Sequence, residues 1–268
     1  MGSPLRAFVR IAAYLAVTVA LVPIQAFAVR FNRKLSVRLP LFYHGLCVRI
    51  LGFQIRTHGK MAANGPVLFA CNHTSYSDIS ILGALLPASF VAKAEVAGWP
   101  FFGGLAKLQR TVFVDRRPAK ATMQRDEMVQ RLEDGDNLIL FPEGTSSDGN
   151  AVLPFKSALF SVAQVEPNGE PLLVQPVSIA YTRLDGMPVG RALRPYFAWY
   201  GDMTLAPHFW EVAGLGHATV DVVFHPPVTI RDYETRKGLA EHCFQVVAGG
   251  VSVANAGRLD GLQTLGAS

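Results

Sequence analysis

Cysteine is scarce in this chain: Cys47, Cys71 and Cys243 are the only three in 268 residues, widely separated and with no Cys-x-x-Cys pair. Neither a disulfide framework nor a thiolate zinc cage is indicated, and the chain suits a reducing cytoplasm. Charge is thin as well, 17% of residues against 50% hydrophobic, which fits one substantial core with a greasy segment attached. The small basic excess, net +5, calls for an anionic partner. Aromatic and basic residues do not interleave as in nucleic-acid binders, so a membrane surface is the simpler partner and nucleic acid is not expected. His44, His58, His208, His217, His225 and His242 lack ligand spacing, so no metal is implied. There is no Gly-x-Ser-x-Gly elbow, no internal repeat and no low-complexity block.

What is present begins with nineteen uncharged residues, Ile11 to Val29, bracketed by Arg10 and Arg30. That is close to the roughly 20 residues a helix needs to cross a bilayer core, and residues 1–53 are expected to anchor the chain to a membrane. A cleaved secretory signal competes, because Arg6 and Arg10 precede the apolar stretch and Ala26-Phe27-Ala28 resembles a cleavage site. Basic residues are denser after the stretch (Arg30, Arg33, Lys34, Arg38) than before it (Arg6, Arg10). This favours a retained helix in the inner membrane, with the following domain facing the cytoplasm. Pro23 and Gln25 interrupt the run, and Leu39 to Phe53 is a second apolar stretch broken by His44 and Arg49. A helical hairpin lying in one leaflet is the alternative.

From residue 54 to 254, strand-like and helix-like pieces alternate with Gly and Pro between them, the pattern of a single α/β domain. Strands are expected at Val67–Cys71, Ser89–Ala92, Thr111–Val114, Asn137–Phe141, Leu172–Tyr181 and Val220–Phe224. Helices are expected at Asp78–Leu85, Gly98–Lys107, Ala119–Glu133 with Gly135 as its stop, Ser157–Val165 and Asp232–Val247. Thr182 to Pro195 reads as a surface loop or lid, and residues 255–268 as a loosely held tail.

Two polar signatures each follow an apolar run: His73-Thr-Ser-Tyr-Ser-Asp78 after Pro66–Cys71, and Phe141-Pro-Glu-Gly-Thr145 after Asn137–Leu140. Together they describe one site at the edge of a sheet. A neutral imidazole at His73 can take a proton from an alcohol as its oxygen attacks a carbonyl. Asp78, near a helix start, can turn back to hold the productive tautomer. Such a pair activates an external hydroxyl, and without a nucleophile elbow a covalent acyl-enzyme is not favoured. Cys71 is an alternative thiol nucleophile, but at the end of a buried strand it reads as packing. His-x4-Asp alone also arises by chance; the second signature gives it weight.

Four blocks carry a family resemblance: Asn72-His73-Thr-Ser-Tyr-Ser-Asp78, Phe113-Val-Asp-Arg116, Phe141-Pro-Glu-Gly-Thr145 and Val174-Gln-Pro-Val-Ser-Ile179. In order and spacing they resemble those of the glycerol-phosphate and lysophosphatidic acid acyltransferase superfamily, over roughly residues 40 to 230. The resemblance implies a central mixed sheet flanked by helices. It also implies direct transfer of a fatty acyl group from an acyl carrier protein or coenzyme A thioester, as co-substrate and without a further cofactor, to a lysolipid acceptor. His73 would be the general base and Asp78 its orienting partner. Glu143, Gly144 and Thr145 would shape the acceptor site, Arg116 would bind acceptor charge, and Pro176 would belong to the acyl side.

The residues themselves agree with some of this. The fork of Arg116 suits phosphate or carboxylate, although Arg116 and Arg117 also read as solvated charges. Gly144 permits close backbone approach, and the amides of a Gly-Thr turn can donate to an oxyanion; a plain tight turn reads equally well. Lys93 after a strand and Lys156 near a helix start can each reach an anionic head group or stand as surface charges. Many family members acting on lysophosphatidic acid carry arginine soon after Glu-Gly-Thr, whereas here Ser146, Ser147 and Asp148 follow. That change suits an acceptor with a positive group, and the string through Leu153–Leu159 resembles acyltransferases that complete ornithine lipids. Asp148 before Gly149 is also an ordinary turn. Lysophosphatidic acid leads as acceptor on the breadth of the family and on Arg116, with lyso-ornithine lipid as the alternative. A non-catalytic lipid-binding membrane protein, and a hydrolase in which His73 activates water, complete the readings.

Overall fold

The computed structural model describes residues 2–63, 65–115 and 118–259. In chain order it contains helices α1 (Pro4–Phe31) and α2 (Arg33–Leu51), β1 (Phe53–Gly59), β2 (Val67–Cys71), α3 (Ser77–Leu85), β3 (Ala88–Lys93), α4 (Phe102–Leu108) and β4 (Val112–Val114). There follow α5 (Pro118–Glu133), β5 (Asn137–Leu140), β6 (Leu173–Leu184), β7 (Met187–Pro188), α6 (Leu205–Gly214), β8 (Ala218–Phe224) and α7 (Arg236–Asn255).

Ser3 caps α1 by accepting the Arg6 amide, and Pro4 occupies the first turn, where a missing N–H costs nothing. Asn32 is extended (φ −144°), and its side-chain oxygen accepts the Leu35 amide at 3.0 Å, so one residue ends α1 and caps α2. The chain turns back there. Thr18 to Tyr43 (2.9 Å) and Gln25 to the Ser36 carbonyl (3.0 Å) tie the two helices into a hairpin. Among the described residues α1 alone is long and apolar enough to cross a membrane. Its buried stripe includes Ala7, Thr18, Gln25 and Ala28, whereas Phe8, Leu15, Val19, Phe27 and Phe31 stand exposed. The Arg10 guanidinium donates to the carbonyls of Ala213 (3.1 Å), Leu215 (2.7 Å) and Gly216 (3.3 Å), a cation at the C-terminal end of α6.

The sheet runs β1-β8-β6-β2-β5-β3-β4, with β7 beside β6. Neighbours are parallel except β6 with β8 and with β7. This is the mixed sheet flanked by helices that the resemblance implies. In β2, Val67, Phe69 and Cys71 enter the layer shared with α2, α3 and α6, while Leu68 and Ala70 enter the one shared with α5 and α7. Burial on both faces is why β2 is a continuous apolar run.

Several expected elements are corrected. The helix expected at Gly98–Lys107 is a 3₁₀ turn (Ala94–Gly98) followed by α4, because Pro100 interrupts the run. Ser157–Gln164 is 3₁₀ rather than α. The expected loop from Thr182 begins as strand: β6 continues to Leu184 and turns through Asp185 (φ 49°) and Gly186 (φ 80°) into β7, a two-residue Asp-Gly hairpin. The helix expected from Asp232 starts instead at Arg236, capped by Thr235, and runs to Asn255. Of the expected loose tail, residues 255–259 are described and Leu259 is buried with Ala180 and Val223, while 260–268 lie outside the described residues.

Candidate active site

Strands β2, β5, β3 and β4 run parallel, so the segments after Cys71, Leu140, Lys93 and Val114 emerge at one edge of the sheet. Asn72 closes the end of β2: its amide donates to the Ile179 carbonyl (3.0 Å) and its oxygen accepts the Ile179 N–H (2.8 Å). The loop that follows is thereby clamped to β6. The His73 ring, 20% exposed, stacks on Phe141 at 4.2 Å and 20°. Its Nδ1 lies 2.9 Å from Asp78 Oδ2. A carboxylate there places the proton on Nδ1 and leaves the Nε2 lone pair for a substrate hydroxyl, a tautomer assigned from the hydrogen-bond network.

Asp78 sits in the first turn of α3 with no solvent exposure. Oδ2 also accepts the amides of Thr74 (2.7 Å) and Ser75 (2.9 Å), and Oδ1 accepts the Tyr181 hydroxyl at 2.8 Å. Four donors thus converge on this buried carboxylate.

Glu143 is buried, and its two oxygens accept the His73 amide at 2.6 Å and the Leu153 amide at 2.8 Å. Burial pushes its pKa up to about 8, against the pull of those two amides and with the Asp78 charge adding to the rise. On the other side of the loop, Ser147 N–H donates to the His73 carbonyl at 2.9 Å. The backbone of His73 is thus held from both directions by the Glu-Gly-Thr turn.

Beside this corner lies an apolar cavity of about 230 Å³, walled by α1, α2, α3 and α4 and by Trp99 and Trp199. Tyr76, from the loop after His73, and Ser77, the first residue of α3, line it. Among its polar lining groups, Thr18 bonds Tyr43 (2.9 Å), His44 bonds Gln109 (2.7 Å), and Gln25 donates to the Leu108 carbonyl (2.8 Å).

A family model described as "Acyltransferase" matches residues 53–180. A lyso-ornithine lipid O-acyltransferase of Brucella abortus is 45% identical over 244 residues, 90% of this chain and 91% of that one. The chain belongs to the acyltransferase family. A 1-acyl-sn-glycerol-3-phosphate acyltransferase of Neisseria gonorrhoeae is 31% identical, covering 71% of each chain. The crystal structure of the 1-acyl-sn-glycerophosphate acyltransferase PlsC from Thermotoga maritima shares the fold, with a TM-score of 0.63, 21% identity and 93% of each chain covered. The reading as a non-catalytic lipid-binding protein gives way to that of an enzyme.

In the acyltransferase, the other expected site residues fall into three groups. Gly144 (φ 67°) follows Glu143 in the turn; a Cβ there would lie 2.7 Å from Lys156 Nζ, so the missing side chain leaves room for that ammonium. Lys156 and Thr145 are exposed, and Lys93, half-buried, ends β3 at the same sheet edge. Three more are engaged or enclosed by the fold. Glu143 accepts the backbone amides of His73 and Leu153. Asp148 is engaged by Asn150, whose N–H and Nδ2 both donate at 2.9 Å. Partial burial opposes it, but these bonds and nearby Arg191 hold the Asp148 carboxyl below its usual range. Pro176 is buried in the middle of β6 beside Ala70 and is not among the cavity's lining residues, because strand pairing places it within the sheet. Arg116 lies outside the described residues.

Sequence reasoning overlooked Tyr181 and gave no separate role to Asn72 or Ser147. Asn72 was legible in principle, as a polar residue ending an apolar strand just before His73. Tyr181 lay at the end of a run read only as strand. Cys71 is fully buried, and burial together with the Asp78 charge raises its thiol well above the ordinary value, so it stays a protonated packing group.

Proposed function

We propose that this acyltransferase moves a fatty acyl group from an acyl carrier protein or coenzyme A thioester to the free hydroxyl of lyso-ornithine lipid, producing ornithine lipid. The observation that carries the chemistry is His73, held by Asp78 with its Nε2 uncommitted, beside an apolar cavity suited to an acyl chain. The acceptor hydroxyl gives its proton to Nε2 as its oxygen attacks the thioester carbonyl. The tetrahedral intermediate expels the thiolate, which recovers the proton from the imidazolium. No protein group becomes acylated, in keeping with the buried, protonated Cys71.

For the acceptor, the sequence reading placed lysophosphatidic acid first. The greater likeness to a lyso-ornithine lipid enzyme, together with Ser146 in place of an arginine, supports the alternative. Ornithine brings an ammonium and a carboxylate, so its head group asks less for a concentrated phosphate-binding charge. We further infer that the exposed apolar face of α1 enters the inner membrane, with Arg30, Arg33, Lys34 and Arg38 at the bend meeting anionic head groups on the cytoplasmic side.

The test is transfer from a long-chain acyl donor to lyso-ornithine lipid and, in separate reactions, to lysophosphatidic acid, using full-length protein in detergent with H73A as control. Product on lyso-ornithine lipid, abolished in H73A, is expected. Product on lysophosphatidic acid alone would overturn the acceptor assignment, and normal turnover by H73A would overturn the mechanism.

A further inference from the structure

We propose that Tyr181 is a positioning residue of the reaction: its hydroxyl fixes the Asp78 carboxylate and thereby sets both the orientation and the proton affinity of His73. The inference rests on the reading of His73 as general base.

Tyr181 lies on β6, across from Val220 of β8, and its side chain faces α3. Its ring is clamped, stacked on Phe197 at 5.3 Å and 13° and meeting Phe53 edge-on at 6.1 Å. The strand carrying it is fastened to the catalytic loop two residues earlier by the paired bonds between Asn72 and Ile179. Strand register and ring packing therefore aim the hydroxyl at Asp78 before substrate arrives. A phenylalanine would serve the packing equally well; the one atom that distinguishes tyrosine is the one bonded to the carboxylate.

Asp78 is completely buried, so water cannot replace that donor. Its two oxygens have divided duties. Oδ2 receives His73 and two loop amides, while Oδ1 receives Tyr181. Without the phenol, Oδ1 is left unpaired in a dry site, and the carboxylate is free to rotate toward another donor, taking its partner imidazole with it. The O–H dipole also presents its positive end to Asp78 and, through it, to His73. That disfavours the imidazolium, so removing the dipole raises the proton affinity of His73. Burial and the neighbouring carboxylate raise the phenol well above its ordinary pKa, so it remains a donor across the working range.

The titratable groups around the pair are Cys71 at the end of β2, Tyr76 in the loop, Glu143 after β5 and Lys156 over Gly144, besides Tyr181 itself. All but Tyr181 are common to the wild type and to a Tyr181 variant, so a difference between their pH profiles reports the phenol.

The experiment is the pH dependence of kcat and kcat/KM for wild type and Y181F, with melting temperature measured in parallel. Y181F is expected to lose roughly ten- to hundredfold in kcat, the worth of a hydrogen bond to a charged group, with KM nearly unchanged. The acid limb of kcat/KM should move to higher pH, since His73 must be neutral to act. Placing a more acidic fluorinated tyrosine at position 181 should move that limb the opposite way, which keeps the test valid if Y181F folds poorly. Wild-type kcat and an unmoved acid limb in both variants would overturn the inference. Activity of H73A distinguishes this from failure of the parent reading: a dead H73A beside a fully active Y181F sinks the role of Tyr181 alone.

Discussion

The His73–Asp78 corner and the cavity beside it are built by opposite means. At the corner the key side chains are held by directed contacts: Asp78 receives four donors, Glu143 two backbone amides, and the His73 ring is pinned by stacking. The cavity is shaped by rings and aliphatic side chains from five or more separate segments. Directed bonds hold a proton-transferring group to within tenths of an ångström, which the chemistry requires. Apolar contact is non-directional and fixes volume instead, which suffices to admit a flexible chain. Changes at the corner should therefore reduce turnover for every donor, and changes in the cavity should alter which donor is used.

The largest effect is expected from D78N. An asparagine can present its oxygen to Nδ1 only by turning its amide toward the Tyr181 hydroxyl, and in the other orientation it stabilises the wrong tautomer. Loss of about 10³- to 10⁴-fold in kcat is expected, with the fold retained by circular dichroism. A variant within tenfold of wild type would show that the corner is less dependent on directed bonds than it looks.

E143Q should act through the backbone. One of the two amides that bond Glu143 then faces an N–H₂ group, with an expected stability loss of about 1–3 kcal/mol in chemical denaturation and a kcat loss of roughly tenfold or more through displacement of His73. The pH dependence carries a sign. Glu143 is raised from an ordinary 4.5 to about 8, so the folded state holds that proton more tightly. Its contribution to stability is full below about pH 4.5 and lost as pH rises toward 8. Glutamine cannot ionise, so the fall of Tm between those limits should be shallower in E143Q; an identical slope would argue that Glu143 does not titrate there.

In the cavity, A106F fills open space lined by α4. Long-chain donors should lose about tenfold or more in kcat/KM relative to short ones, at about 0.8 kcal/mol for each methylene denied its place, while kcat with a short donor stays near wild type. A uniform loss over all chain lengths would mean that the wall also supports the corner. The smallest effect is expected from C71A: activity within about twofold of wild type, and a stability loss of about 1 kcal/mol from the lost packing. Abolished turnover would revive Cys71 as a nucleophile.

Local features were legible because short-range geometry decides them. The bounds of β2 matched the apolar run, and the five-residue spacing of His73 and Asp78 became one loop closing on the first turn of a helix. β1 escaped notice because an edge strand alternating polar and apolar residues, Phe53-Gln-Ile-Arg-Thr-His-Gly59, shows only weak periodicity. α6 escaped because Pro207 lies in its first turn, where proline is tolerated although it usually signals a break. Glu143 was recognised as important, but an acidic side chain in a turn gives no sign of whether it faces a ligand or a backbone amide.

The sequence by itself determined the alternation of strand and helix, the apolar segment near the start of the chain, and the residue types able to move a proton. All of these follow from patterns within about a dozen neighbouring positions. Only the tertiary structure decided that Tyr181, 103 residues from Asp78, completes its hydrogen bonds, that Glu143 serves the His73 backbone, and that Arg10 ties α1 to the end of α6. Those pairings depend on strand order and on which sheet face each side chain takes, and both are set by burial of the whole core rather than by any local stretch.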